Sequence, residues 1–258
     1  MKISVITTCF NRENTIEDTI QSLLAQDYPD IEYIIIDGNS SDRTMSIVNK
    51  YKDRISKIVS EPDHGMYEGL NKGIRAATGD IIGLLHSDDL YFSDDSLSRV
   101  AQCFTETNAD LLYGNGLFVS IDDTTKVTRD WISGKYSKSK ISLGWLPLHT
   151  TVYIRRTLFE KLGYYNDSYK IAADSDLLVR YLYKADIKVI YLNNYLVRMR
   201  MGGLSTTTKR FRQKWKEDIQ IYRNHRISPY KALIIKITSK IPQFIRAALT
   251  SHTTDRQQ

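Results

Sequence analysis

The chain has 258 residues, 41% hydrophobic, 26% charged and 10% aromatic, which allows one large α/β domain or two small ones and excludes disordered and fibrous classes. Its formal net charge of +6 is unevenly spread: residues 1–197 hold 22 Lys and Arg against 27 Asp and Glu, and residues 198–258 hold 14 against 3. A C-terminal quarter at +11 points to a polyanionic partner, either a membrane or a nucleic acid.

In chain order, Ile3–Thr8 reads as a buried strand. Ile16, Ile20, Leu23 and Leu24 follow at helical spacing, with Asn14 and Glu17 placed as a capping box. Tyr33–Ile36 is a second strand, running into the turn-forming stretch 37–42. A helix around 43–52 and a strand around 55–60 come next. Gly65 to Thr78 reads as a helix with Tyr67, Leu70, Ile74 and Ala77 on one face and Gly79 as its C-cap. Ile81–Leu85 is the fourth strand. Repeated strand–helix–strand units need right-handed crossovers and build a parallel sheet with helices on both faces. Ligands bind such sheets at the C-terminal strand edge, where Thr8, Asp37, Asp63 and Asp88-Asp89 all fall.

The second half is less regular. Strands are expected near 110–121, 126–131 and Thr151–Ile154, then a short helix through Phe159 to Leu162 and a helix over Asp174–Lys184. Lys188–Leu192 and Tyr195–Met199 read as a hairpin-like return through Asn193-Asn194. No repeat or Pro/Gly-rich linker divides the chain, so a domain over 1–208 and a basic tail over 209–258 are expected.

Asp88-Asp89, directly after an apolar strand, carries the sharpest chemical signal. Adjacent carboxylates repel unless a cation or strong donors neutralise them, and Mg²⁺ or Mn²⁺ is held by one or two carboxylates plus diphosphate oxygens. The alternative is a solvated turn capping the next helix. Asp37 is placed to accept from an imide N–H or a ribose hydroxyl, or to close an Asx-turn. Asp63 is similar, and Lys72 is a candidate phosphate contact or a solvated helix lysine. Asp174 and Asp176 head an amphipathic helix, as an N-cap with a first-turn acid or as a base that deprotonates an acceptor hydroxyl. His149 is either a base or acceptor contact, or structural. The chain has no GxGxxG, GxxxxGK[ST], HExxH or GxSxG motif.

Together these pieces resemble the family 2 inverting glycosyltransferases of bacterial polysaccharide assembly. The stretches that carry the resemblance are Ser4–Asn11, Ile36–Asp42, Glu61–Gly65, Asn71-Lys72-Gly73, Leu85–Asp89, His149 with Phe159–Gly163, Asp174-Ser175-Asp176 and Leu178–Arg180. The resemblance spans about residues 1–205. It implies a GT-A type α/β fold with a Rossmann-like, mostly parallel sheet, and a nucleotide-sugar donor, by family frequency a UDP-sugar. Thr8, Asp37 and Asp63 would line the base and ribose pocket. Asp88 would sit by the ribose or diphosphate, Asp89 would bind Mn²⁺ or Mg²⁺, and Asp174 would be the general base. The sequence departs from the family pattern in reading Ser87-Asp88-Asp89 where an Asp-x-Asp is usual. It also has Ala173 before Asp174 where Glu is usual, which keeps Asp176 as a second candidate. The segment Arg198–Ser205 resembles a glycine-containing stretch expected to close over the diphosphate.

Cations interleave with Phe211 and Trp215 over Lys209–Lys216, and from Ile227 to Leu249 apolar residues alternate with Lys231, Lys236, Lys240 and Arg246. Such a segment lies in a membrane interface or packs on the domain as an ordinary amphipathic helix. The implied acceptor is a saccharide or a lipid-linked hydroxyl, and a homo-oligomer is compatible with the sequence. Cys9 and Cys103 suit a reducing compartment as unpaired thiols. With neither a signal-peptide pattern nor an 18-residue apolar run, the expected location is cytoplasmic, peripheral at the inner face of the membrane. Two rival classes remain. A sugar nucleotidyltransferase needs a Gly-rich phosphate loop where Cys9-Phe10-Asn11-Arg12 stands, and a nucleic-acid-binding module lacks a recognition motif.

Overall fold

The computed structural model describes residues 1–201, 208–238 and 241–254. Strands β1 (Ile3–Cys9), β2 (Ile31–Asp37), β3 (Lys57–Ser60) and β4 (Ile81–Leu84) pair in parallel, β2 between β1 and β3, and β1 between β2 and β4. The crossovers are α1 (Ile16–Leu24), α2 (Thr44–Lys50) and α3 (Met66–Ala76). Helices on both faces explain the unbroken apolar runs: Ile34, Ile35 and Ile36 are all buried although neighbours along a strand point to opposite sides.

The second half adds β5 (Leu90–Tyr91), α4 (Ser96–Thr107), β6 (Leu111–Val119), β7 (Val127–Trp131), α5 (Lys138–Ser142), β8 (Val152–Arg155), α6 (Arg156–Leu162), α7 (Ala173–Val179) and β9 (Val189–Arg200). The sheet order is β3-β2-β1-β4-β8-β6-β9-β5, with β7 paired to β6. Here β8 runs antiparallel between β4 and β6, and β9 returns parallel to β6. This is the expected α/β fold. One core packs α3, α6 and α7 on one face, and a second packs α1, α2 and α4 on the other.

Four local expectations are corrected. Residues 189–200 form one continuous strand rather than a hairpin. Asn193 and Asn194 sit at irregularities of the β6–β9 register, where the Asn193 side chain bonds Asn115 and Tyr191 instead of turning the chain. Thr15, not Asn14, is the N-cap of α1, and its hydroxyl donates to the Ser87 carbonyl at 2.8 Å. Gly79 is no C-cap, because α3 stops at Ala76; a Cβ there would meet the Ser4 nitrogen at 2.8 Å and the Lys2 oxygen at 2.9 Å, so Gly79 is set by close approach to β1. Past Val179, α7 widens into a π-helical turn over Arg180–Lys184.

The basic quarter is helical and packs on the domain. It forms α8 (Thr208–Asn224), α9 (Pro229–Thr238) and α10 (Ile241–Thr254), and Ile221, Tyr222, Ile227, Ala232 and Leu233 join the core around α3 and α7. Gly144, at φ +84°, leaves no room for a Cβ against the Ala232 carbonyl, so α9 is seated on the 143–146 loop. In turn α10 packs on β7, where the Arg129 guanidinium lies 4.7, 4.4 and 5.5 Å from the ring centres of Phe118, Trp131 and Phe244.

Candidate functional site

The loops leaving the C-terminal ends of β1 to β4 meet at one rim. Thr8, next to last in β1, turns its side chain toward α3. A Cβ built on Gly69 would lie 3.2 Å from Thr8 Cγ2 and 3.3 Å from Asp63 Oδ2, so Thr8, Asp63 and the bare backbone of α3 adjoin. Asp63 Oδ1 accepts from the Gly65 amide at 2.9 Å, and Gly65 takes the φ of +134° that opens α3. Asp37 is fully buried, and its oxygens are occupied. Oδ2 accepts from the Ser40 amide at 3.0 Å and the Ser60 hydroxyl at 2.7 Å, and Oδ1 accepts from the Ser40 hydroxyl. Asp37 thus closes the 37–40 turn, one of its two expected roles. The Lys72 ammonium bridges Glu61 at 2.9 Å and Glu68 at 3.1 Å, and these carboxylates hold its pKa above the usual lysine range.

The 86–89 loop is fixed from two sides. Besides the Thr15 bond, the Thr19 hydroxyl donates to the Asp89 carbonyl at 2.9 Å, and Arg200 Nη1 donates to the Asp88 carbonyl at 3.2 Å while Nη2 pairs with Asp18. Asp88 is half-buried. The Asp89 carboxylate is 1% exposed; Oδ1 takes one long bond from the Arg200 amide at 3.3 Å, and Oδ2 is buried without any partner. Burial and the neighbouring Asp88 charge push its pKa well above the carboxylate range, against the smaller pull of Arg200. A carboxylate so placed is short of positive charge. No cluster of three or more His, Cys, Asp or Glu able to hold an ion exists among the described residues. The unpartnered Oδ2 with Asp88 beside it fits a hard divalent cation that would take its other oxygens from a bound diphosphate and water.

Asp174 lies in the first turn of α7. Tyr67 Oη donates to the Ile171 carbonyl at 2.8 Å and reaches Asp174 Oδ1 at 3.4 Å, and His149 Nδ1 stands 3.6 Å from Asp174 Oδ2. Burial works to raise the Asp174 pKa, yet the charges of Lys214 and Lys236, the Ser175 amide and, in acid where it is protonated, His149 hold it below the usual range. The group is therefore an anion at neutral pH. Asp176 is occupied elsewhere: Arg180 Nε at 2.9 Å and His225 Nε2 at 3.2 Å take its oxygens. Arg180 also donates to the carbonyls of Leu162, Gly163 and Tyr164. Asp176 thus clasps the segment before α7, whereas Asp174 faces Tyr67 and His149.

Two histidines connect the halves. His86 Nε2 and His149 Nε2 are 3.0 Å apart, and His86 feels both the Asp88 and the Asp174 charge. Burial lowers both imidazole pKa values, that of His149 to about 4. Both are neutral at pH 7, and a neutral pair shares one proton between the facing nitrogens. With its own proton on Nδ1 toward Asp174, His149 accepts from His86 Nε2–H. In the sequence His86 lacks metal-ligand spacing and gives no sign of a pairing with His149. Their partnership spans 63 positions and has no local signature. A groove of about 390 Å³ opens beside Tyr67, between His64 and Glu68 on one side and Ser168 to Lys170 on the other. Gly202 and Gly203, expected to close over a diphosphate, lie outside the described residues.

The family model for glycosyl transferase family 2 matches residues 4–173. A PGL/p-HBAD biosynthesis glycosyltransferase of Mycobacterium bovis is 28% identical over 209 residues, 79% of each chain. An uncharacterised glycosyltransferase of Mycobacterium tuberculosis is 30% identical over 183 residues, covering 69% of this chain and 68% of that one. Among solved structures, S. aureus TarS 1–349 in complex with UDP-GlcNAc is similar with a TM-score of 0.66 at 19% identity, over 86% of this chain and 66% of that one. The mannosyltransferase PcManGT of Pyrobaculum calidifontis, in complex with GDP-Man and Mn²⁺, is similar with a TM-score of 0.67 at 19% identity, over 98% and 75%. The longer S. aureus TarS chain is spanned to 39% of its length.

Proposed function

This chain belongs to glycosyltransferase family 2, and from that premise we propose that it moves a sugar from a nucleotide-sugar donor to an acceptor hydroxyl with inversion, in the assembly of a cell-surface polysaccharide or glycolipid. The observation that carries the reading is the His86–His149 contact, which links the acidic 86–89 loop to an ionised Asp174. The donor base and ribose would lie on Thr8, Asp63 and Gly69 over the Asp37 turn. UDP is the first base to try, since TarS was solved with UDP-GlcNAc; GDP is the second, since PcManGT was solved with GDP-Man.

Asp89, with Asp88 beside it, would hold Mn²⁺ or Mg²⁺. When bound, that ion supplies positive charge for the departing diphosphate. Asp174 accepts the proton of the acceptor hydroxyl as its oxygen bonds to the anomeric carbon, and the bond from that carbon to the diphosphate oxygen breaks on the opposite face. The groove beside Tyr67 is the acceptor's route to Asp174.

Membrane contact through the C-terminal helices belongs to the same proposal. Tyr230, Ile234, Ile237, Ile241, Phe244 and Ile245 are all exposed on α9 and α10, within the basic quarter. No helix among the described residues is long and apolar enough to cross a membrane. The test is thermal shift against UDP- and GDP-sugars with and without Mn²⁺, followed by transfer assays on saccharide and polyprenyl-linked acceptors. No stabilisation by any nucleotide sugar, with or without the metal, would overturn the proposal.

A further inference from the structure

Glu217, on α8, is 8% exposed and accepts four hydrogen bonds. Its Oε1 takes the Lys170 amide at 3.0 Å and Gln213 Nε2 at 2.9 Å, and its Oε2 takes the amides of Ile171 and Ala172, both at 2.9 Å. Three successive backbone N–H groups therefore converge on one carboxylate from a helix 45 positions further along. The site of convergence matters, because Ala172 is the N-cap of α7 and Asp174 follows it by two residues. Helix N-termini leave donors unmet, and α7 makes no side-chain cap of its own. Glu217 meets the N-cap amide of Ala172 from outside and holds the two amides that lead into it.

A second contact runs in parallel. Lys236 of α9 pairs with Asp218 at 3.0 Å and reaches the Ser175 hydroxyl at 3.5 Å, next to Asp174. Lys214 and Lys236 are also among the charges that hold Asp174 ionised.

We propose that Glu217 is a positioning residue for the base: by gathering the amides of 170–172 it fixes the first turn of α7 and so the direction of Asp174, which makes α8 and α9 part of the catalytic unit. The proposal rests on Asp174 being the base. Nothing in the local sequence signals it, since Glu217 reads as one acid in a cationic helix.

The variant is Glu217→Gln. The amide keeps one acceptor and turns an NH₂ toward N–H groups that need an acceptor, so the turn loosens while its size and packing stay. Misplacing a catalytic group by about 1 Å costs on the order of 100-fold. We expect kcat to fall about 10- to 100-fold, with the donor KM within about twofold because the nucleotide rim is built by other loops. Ile20→Val, in the opposite core, is the control for general destabilisation and should leave kcat unchanged. In an Asp174→Asn background Glu217→Gln should cost nothing further, since residues acting as one unit are non-additive. Should Glu217→Gln fail to fold, Gln213→Ala carries the same test by freeing Oε1 of one donor, with an expected kcat loss of about threefold.

A folded Glu217→Gln with kcat within twofold of wild type, or a full further loss in the Asp174→Asn background, overturns the proposal. If Asp174→Asn itself keeps activity, the base assignment fails instead, whatever Glu217 does.

Discussion

Replacing Asp89 by Asn should stabilise the metal-free protein and abolish transfer together. In the folded chain Asp89 is a buried carboxylate with one weak bond and an oxygen that has none, beside a second acid. Its folded pKa is raised, so its unfavourable contribution builds up as pH rises from the ordinary carboxylate range of the unfolded chain to the raised folded value, and vanishes in acid, where the carboxyl is neutral in both states. Asn keeps the acceptor for the Arg200 amide and removes the charge. It leaves one amide N–H₂ unmet, so the gain is the difference between an orphaned carboxylate and an orphaned amide, about 1 kcal/mol. For a chain of this size that is a rise of about 2–4 °C in Tm, measured by calorimetry at pH 8 in EDTA and shrinking as the pH is lowered. With Mn²⁺ and UDP the order should invert: wild type gains about 2.7 kcal/mol at a hundredfold excess over Kd, and the variant gains little. A variant that melts at or below wild type in EDTA, or one stabilised equally by Mn²⁺ and UDP, refutes the reasoning.

Other consequences can be measured separately. Gly69→Ala would gain about 0.5–1 kcal/mol as a helix-interior substitution, but its methyl enters the 3.2–3.3 Å space between Thr8 and Asp63; the expected result is an unchanged or higher Tm with a donor KM raised at least about fivefold. His149→Gln tests the acid limb. A His with a lowered folded pKa keeps its stabilising neutrality above its unfolded value and loses it as pH falls toward about 4, so the variant should show a flatter stability profile between pH 6.5 and 4 in circular-dichroism melts. Lys72→Met should leave the donor KM within about threefold, because the ammonium already answers to Glu61 and Glu68; a tenfold rise would restore the phosphate role.

The first half of the fold was legible because each of its signals is local. Apolar runs of strand length, helical spacing between them and polar residues after each strand place β1 to β4 and the rim without any knowledge of distant contacts. What escaped depended on partners far along the chain. Asn193-Asn194 resembles a turn, yet lies within a strand because β6 offers a parallel edge across its whole length. Lys72 follows Asn71 and precedes Gly73 as a phosphate contact would, but glutamates 11 positions before it and 4 before it claim its charge. Asp174 and Asp176 look equivalent in sequence; Arg180 and His225 distinguish them by occupying only the second.

Sequence reading posed the C-terminal quarter as a choice between a helix packed on the domain and a helix in a membrane interface, and the two faces of α9 dissolve that choice. Ala232 and Leu233 are buried against the 143–146 loop and the core, while Tyr230, Ile234 and Ile237 on the same helix are exposed. An amphipathic helix with polar residues outward would spend its apolar side chains on the core alone; this one has apolar side chains left over. Each Ile withdrawn from water is worth about 1.5–3 kcal/mol when fully buried, so shallow insertion of four isoleucines of α9 and α10 with nearby cations outweighs what a single acyl chain provides only if several insert together. Replacing Ile234, Ile237, Ile241 and Ile245 by Ser should therefore abolish flotation with anionic liposomes while leaving transfer to a water-soluble acceptor intact, because the buried face that carries Ala232 and Leu233 is untouched. Retained flotation would place the contact elsewhere on the basic quarter, and lost transfer would mean that these side chains support the fold despite their exposure.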